Sequence, residues 1–345
     1  MKKIIKPTAT ILIAILILAG LQRLVMPKYM SDITEGNMIA DYYNETVDHD
    51  VIFIGDCEVY ENFSPAVLWE DYGISSYIRG SAEQLVWQSY YLLEDTLSYE
   101  TPDVVVFNVL AMEFNEPQRE SYNRMTIDGM RWSPSKIGAI NASMTDEESF
   151  IEYVFPILRY HSRITELEDD DFKYFTGQHA TTFSGYYMRM DVLPATDFPK
   201  GHGLMDYTFG DNAYYYLDKM RLLCEEKGVE LVLIKAPSLY PVWYDEWDQQ
   251  MVNYAAKYNL KYYNFLEDTD VIGLDFNEDT YDAGLHLNLY GATKLSKYFG
   301  NILVNDCQLA DHRNDVSYSS IWDKKLTEYY NFIDSYNPAL ESKDK

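Results

Sequence analysis

Val51-Ile52-Phe53-Ile54-Gly55-Asp56-Cys57-Glu58 is the stretch that decides the fold class of this chain. Four β-branched or aromatic residues run into a glycine, an acid and a nucleophile-type side chain. An unbroken apolar run is what a strand covered on both faces requires. Open α/β sheets hold their reactive groups just beyond the carboxyl ends of such strands. Cys57 is therefore a candidate nucleophile. Its candidate partners lie more than 200 residues downstream, in Asp282-Ala283-Gly284-Leu285-His286-Leu287-Asn288-Leu289-Tyr290-Gly291-Ala292. There His286 is the candidate base and Asp282 the candidate residue that orients it.

Working outward, apolar runs alternate with helical periodicity. Strands are expected at 51–55, 74–78, 104–110, 229–236 and 261–265. Helices are expected around 37–46 and at 65–71, 84–97, 212–227, 247–258 and 291–304. Such alternation predicts an α/β fold of three layers, flavodoxin-like, with a parallel central sheet. Residues 51–310 form its domain. Residues 111–205, rich in Met, Tyr, Trp and acids, break the rhythm and read as an insertion over the sheet's carboxyl edge. A connector, 29–50, precedes the domain. A polar, Tyr-rich tail, 311–345, follows it, with room for one helix at 321–336.

The first 28 residues are of another kind. Lys2, Lys3 and Lys6 precede an uncharged stretch rich in Ile, Leu and Ala, which Arg23 closes. With Arg23 reaching to the outer interface the stretch attains the ~20 residues that cross a bilayer. The alternative is a cleaved signal peptide. Ile17 and Leu18 stand two residues before Ala19 and Gly20, so no clean small-x-small site follows the apolar run, which favours an uncleaved single-pass anchor. The basic flank predicts a cytoplasmic N-terminus and an extracellular globular part at the cell membrane.

Charge narrows the partners. Five of the 28 basic residues and none of the 55 acids fall in the first 30 residues, leaving a net −32 on the rest. A body that acidic repels phosphate backbones, so nucleic acid is excluded as a partner. The 32 tyrosines suit a carbohydrate-lined cleft and equally suit ordinary packing. Cys57, Cys224 and Cys307 have neither the number nor the spacing of a disulfide framework or a zinc site. One pair of them could still form. Cys224 falls on the apolar face of the 212–227 helix, as a core thiol. The acidic run at 168–171 lacks the alternating ligands and turn glycine of a calcium loop and reads as solvated surface. No cofactor or metal is expected. His49, His161, His179, His202 and His312 have no motif around them.

On these residues the chain resembles the SGNH (GDSL-type) hydrolase superfamily, above all its exported, membrane-anchored branch that includes DltD-like and alginate O-acetylation proteins. Gly55-Asp56-Cys57 matches the family's Gly-Asp-Ser turn, with Cys in place of Ser. The resemblance implies that Gly80, in Tyr77-Ile78-Arg79-Gly80-Ser81, and Asn108, in Val106-Phe107-Asn108-Val109, furnish an oxyanion hole. Asp282 and His286 match its Asp-x-x-His block with one extra residue. The implied activity is O-acyl transfer or esterase chemistry on hydroxyls of a cell-envelope polysaccharide. A polysaccharide or acyl ester would be the substrate, and a membrane-bound O-acyltransferase the partner. The alternative is a catalytically degenerate SGNH-like module that binds glycans or docks on a complex; the Ser-to-Cys change and the stretched Asp–His spacing speak for it.

Overall fold

The computed structural model describes residues 2–27, 38–176, 182–196 and 200–336. The first part of the expected connector (29–37) and His179 lie outside these. A 24-residue helix, α1 (Lys2–Val25), leads the chain. Its stretch Thr8–Val25 is long and apolar enough to cross a membrane. A short helix, α2 (Met38–Asp41), precedes the sheet.

Among the described residues five strands form one parallel sheet: β1 (Val51–Gly55), β2 (Ser76–Gly80), β3 (Val104–Asn108), β4 (Glu230–Lys235) and β5 (Lys261–Asn264). Their order is β2-β1-β3-β4-β5, the flavodoxin-like doubly wound order, whose switch point lies between β1 and β3. The register sets Gly55 opposite Gly80, and Asn108 opposite Ile234. The second strand begins two residues later than its apolar run suggests, and β3 stops at Asn108, where the chain turns into a 3-10 helix over Val109–Glu113.

Alternate residues of the strands feed two cores. Val51, Phe53, Val106 and Ile234 pack beneath α3 (Cys57–Asn62), α4 (Pro65–Tyr72), α14 (Leu289–Asp306) and α15 (Val316–Ser335). Ile52, Ile54, Val105 and Leu233 pack beneath α5 (Val86–Thr96), α11 (Asp211–Lys227) and α12 (Asp245–Tyr258). Burial on both faces is why the strands read as continuous apolar runs rather than alternating ones. Cys224 sits in the second core, as its helical spacing predicts.

The regular elements of the insertion are helices: α6 (Glu120–Ile127), α7 (Pro134–Ser143), α8 (Phe150–Val154), α9 (Ile157–Tyr160) and α10 (Asp169–Phe175). It has a small core of its own, built from Ile127, Met130, Ala139, Ile140 and Tyr153 with Leu92 of α5. The acidic run opens α10, and Asp171 within it is buried against Arg163 at 3.3 Å. A short α13 (Thr269–Ile272) precedes the His286 loop. The described part of the polar tail, 311–336, is docked on the domain: Trp322 of α15 is buried, stacks on Trp69 at 5.4 Å and donates its indole N–H to Ser75 Oγ at 3.1 Å.

Candidate active site

The candidate nucleophile lies where β1 turns into α3. Gly55 permits that turn, because a Cβ there would stand 2.6 Å from Val59 Cγ2. Asp56 caps α3 by accepting the Glu58 N–H at 3.1 Å, and Cys57 is the first residue of the helix. All three cysteines are free thiols, and Cys57 keeps a solvent-accessible face.

The loop carrying His286 reaches the same edge of the sheet. Ala283 and Gly284 take left-handed φ angles of 63° and 100°. This turn absorbs the extra residue between Asp282 and His286 and folds the carboxylate back on the ring. Asp282 Oδ1 accepts the His286 backbone N–H at 2.8 Å, and Oδ2 lies 2.7 Å from Nδ1. Thr280 Oγ1 braces the loop by donating to the His286 carbonyl at 2.8 Å and accepting the Gly284 N–H at 2.8 Å. Asn62, the last residue of α3, accepts the Leu287 N–H at 2.8 Å, so the nucleophile's helix is bonded directly to the histidine's loop. Asn288 then caps α14 with its side chain, which accounts for the asparagine in the His-Leu-Asn sequence.

Cys57 and His286 are neighbours, each favouring the other's charged form. His286 is 7% exposed. Its Nε2 is buried and makes no well-formed hydrogen bond among the described residues, while a side-chain interaction with Cys57 supports the charged ring. Catalytic hydrogen bonds commonly tighten only once substrate is bound, so a neighbouring thiol and a ring nitrogen whose bond is not yet well formed are compatible with proton transfer between them.

A residue that the motif reading missed completes the cluster. Glu61 Oε2 lies 3.8 Å from His286 Nδ1. It also accepts the Tyr281 hydroxyl, whose oxygen is 3.4 Å from the same ring nitrogen. A local signal for Glu61 was present: it follows Cys57 by four residues, and that spacing puts both on one helix face.

Burial by itself would lower the His286 pKa. The charges of Glu61 and Cys57 and the hydrogen bond to Asp282 outweigh it and hold the imidazole well above its ordinary value. Burial pushes the Cys57 thiol up to about 11, with Asp56 and Glu61 acting the same way and His286 opposing. Glu61 is itself raised, first by burial.

The two residues expected in an oxyanion hole stand differently. Gly80 ends β2 beside Gly55, and a Cβ on it would meet the Tyr60 ring at 3.1 Å and the Asp56 carbonyl at 3.3 Å. Its backbone thus abuts the nucleophile turn. Asn108 is buried at the end of β3, but its amide is committed elsewhere. Nδ2 donates to Asp56 Oδ1 and Glu58 Oε2, both at 2.9 Å, and Oδ1 accepts the Ala236 N–H at 3.1 Å. A primary amide has two N–H donors, so in this arrangement Asn108 has none left for an oxyanion. Glu58 is turned inward as well. Lys235 donates to both of its oxygens at 2.8 Å and to the Ala236 carbonyl at 2.7 Å, with both side chains fully buried. Burial, then the charge of Glu58, raises Asp56 to about 7.

Among the described residues no group of three or more His, Cys, Asp or Glu side chains could hold a metal ion. Comparison with known proteins finds no matching family model and no matching curated protein.

Proposed function

We propose that this chain is an SGNH-type acyl-transfer enzyme that carries its acyl group as a thioester on Cys57. The observation that supports the reading is the convergence, from opposite ends of the domain, of the Cys57 thiol and the Asp282-braced His286 imidazole at the sheet's carboxyl edge. In the first half-reaction Cys57 Sγ attacks the carbonyl of an acyl donor. Its proton passes to His286 Nε2 and then to the departing oxygen as the C–O bond breaks. In the second half-reaction a hydroxyl or water gives its proton to Nε2 and attacks the thioester, and the sulfur leaves and is reprotonated. Asp282 holds the tautomer that leaves Nε2 facing the chemistry. The backbone N–H groups of Cys57 and Gly80 are the proposed oxyanion donors. A thioester is a competent intermediate because a thiolate forms more readily than an alkoxide.

The acceptor, on this reading, is a hydroxyl of a cell-envelope polysaccharide, with a membrane-bound O-acyltransferase supplying acyl groups across the bilayer. It rests on the resemblance, on the apolar α1 helix and on Lys2, Lys3 and Lys6, which favour a cytoplasmic N-terminus. The second reading, a non-catalytic glycan-binding or docking module, draws support from the committed Asn108 amide and the raised thiol pKa.

The test is p-nitrophenyl acetate turnover by the full chain in detergent, beside Cys57→Ser, Cys57→Ala and His286→Ala. Cys57→Ser is expected to keep or gain activity while both alanine variants lose it. Equal rates in all four proteins would remove the enzymatic reading in favour of the module.

A further inference from the structure

Among the described residues, eight of the 21 exposed large apolar side chains outside α1 fall between Trp132 and Phe175, in the insertion. They include Trp132, Ile151, Phe155, Leu158, Phe172 and Phe175. The elements that carry several of them, α9, the 3-10 helix His161–Thr165 and α10, are those packed against α1. Arg163 Nη1 donates to the Val25 carbonyl at 2.7 Å, tying the insertion to the last turn of α1. The Arg23 guanidinium is 5.9 Å from the Phe175 ring centre. A Cβ on Gly20 would be 3.9 Å from the tip of that ring.

These contacts fix a depth. The part of α1 that follows the basic flank, from Pro7 to Val25, has 19 residues, or about 28 Å of helix at 1.5 Å per residue. The hydrocarbon core is roughly 30 Å thick, so a crossing α1 has no length to spare, and tilting it only shortens its reach. Phe175 touches α1 at Gly20, five residues, or about 8 Å, before its end. If α1 crosses, Phe175 and its exposed apolar neighbours therefore lie within the bilayer surface and not above it. Interfacial helices bury their apolar faces to a similar depth, about 5–10 Å.

A cavity of about 510 Å³ lies at the same level. Ala19, Gln22, Arg23 and Met26 form one wall, with Trp132 and Tyr174 on the insertion's side. None of its lining residues belongs to the Cys57 cluster. Aromatic rings with polar edges and long basic side chains are the residues that settle at headgroup depth.

We propose that the 132–175 insertion is a membrane-seated collar: its exposed apolar side chains enter the outer face of the bilayer around the end of α1. The seating is driven by apolar burial and not by anionic lipid. Glu166, Glu168 and Asp169 are exposed beside it, and the net charge of −27 opposes an anionic surface. The inference rests on α1 crossing the membrane and is independent of any chemistry at Cys57.

Tryptophan fluorescence provides the test, because five of the six tryptophans (Trp69, Trp87, Trp243, Trp247 and Trp322) are buried and Trp132 is 52% exposed. Full-length protein is reconstituted into phosphatidylcholine vesicles with or without bromine on the acyl carbons nearest the headgroups. Resistance to alkaline extraction establishes that α1 is inserted. The collar predicts weaker emission in brominated vesicles, loss of that difference in Trp132→Phe, and its return in Trp132→Phe/Phe172→Trp. Equal emission in both vesicle types with α1 inserted overturns the collar, and extraction of the protein at alkaline pH overturns the crossing it rests on. Esterase activity enters neither readout.

Discussion

Glu58 and Glu61 are three residues apart on one short helix, both buried, and their surroundings have opposite characters. Glu58 faces inward, where all three Lys235 ammonium hydrogens, both Asn108 amide hydrogens and the Asp56 carboxylate join a closed set of bonds. Glu61 faces the His286 loop, where the ring nitrogen Nε2 makes no well-formed hydrogen bond among the described residues and Cys57 is the neighbouring thiol. In the first region every Lys235 and Asn108 donor hydrogen has an acceptor. In the second, a strongly charge-stabilised imidazole adjoins a thiol with a solvent-accessible face. A satisfied polar network rigidifies, whereas a site for proton transfer needs an atom whose bond is yet to be made. The same helix thus joins the sheet's carboxyl edge on one side and leaves the reactive edge open on the other.

The sharpest break of this contrast is Lys235→Met. It leaves Glu58 buried and unpaired, and removing one partner of such a pair typically costs about 3–5 kcal/mol. Denaturant unfolding of the full chain in detergent should show that loss, and Glu58→Leu added to Lys235→Met should recover part of it. A stability change under 1 kcal/mol in the single variant would mean that the network is not the closed structural unit described. On the open side, His286→Ala should lower turnover at least about a hundredfold, the low end for a general base. It should shift the unfolding midpoint far less than Lys235→Met does.

Asn108→Ala sharpens the boundary between the two regions. Because its amide is spent within the closed network, the variant should lose about 1–3 kcal/mol of stability, as when buried partners are orphaned. Its turnover, measured where the protein stays folded, should fall less than tenfold. A rate loss of a hundredfold at unchanged stability would instead make Asn108 an oxyanion donor.

The smallest effect is expected from Glu61→Gln. Burial opposes the charged imidazole, yet Glu61, Cys57 and Asp282 together hold the His286 pKa well above its ordinary value. Turnover that needs neutral His286 should therefore rise with pH above the usual imidazole range. Removing the Glu61 charge destabilises the imidazolium and moves that ascending limb toward lower pH, with a modest change in the plateau. A limb that stays in place would detach Glu61 from the titration of His286.

The sequence by itself determined the parallel sheet. Strands covered on both faces must be apolar at nearly every position, and the runs at 51–55, 104–108 and 230–235 could satisfy no other pattern so simply. It also singled out Cys57, Asp282 and His286, because a glycine-led turn after a strand and an acid just before a histidine are local features. Only the tertiary structure decided which polar residues face each other. Asn108 and Lys235 lie on different strands, and nothing local says that β3 and β4 would bring them both to Glu58. Glu61 carried a helical-spacing signal from Cys57, but its proximity to His286 depends on a loop more than 200 residues away. The docking of Trp322 on Trp69 was hidden by a polar, tyrosine-rich context. Local patterns follow from the geometry of one backbone segment, whereas the pairing of distant charges follows from the order in which the sheet places its strands.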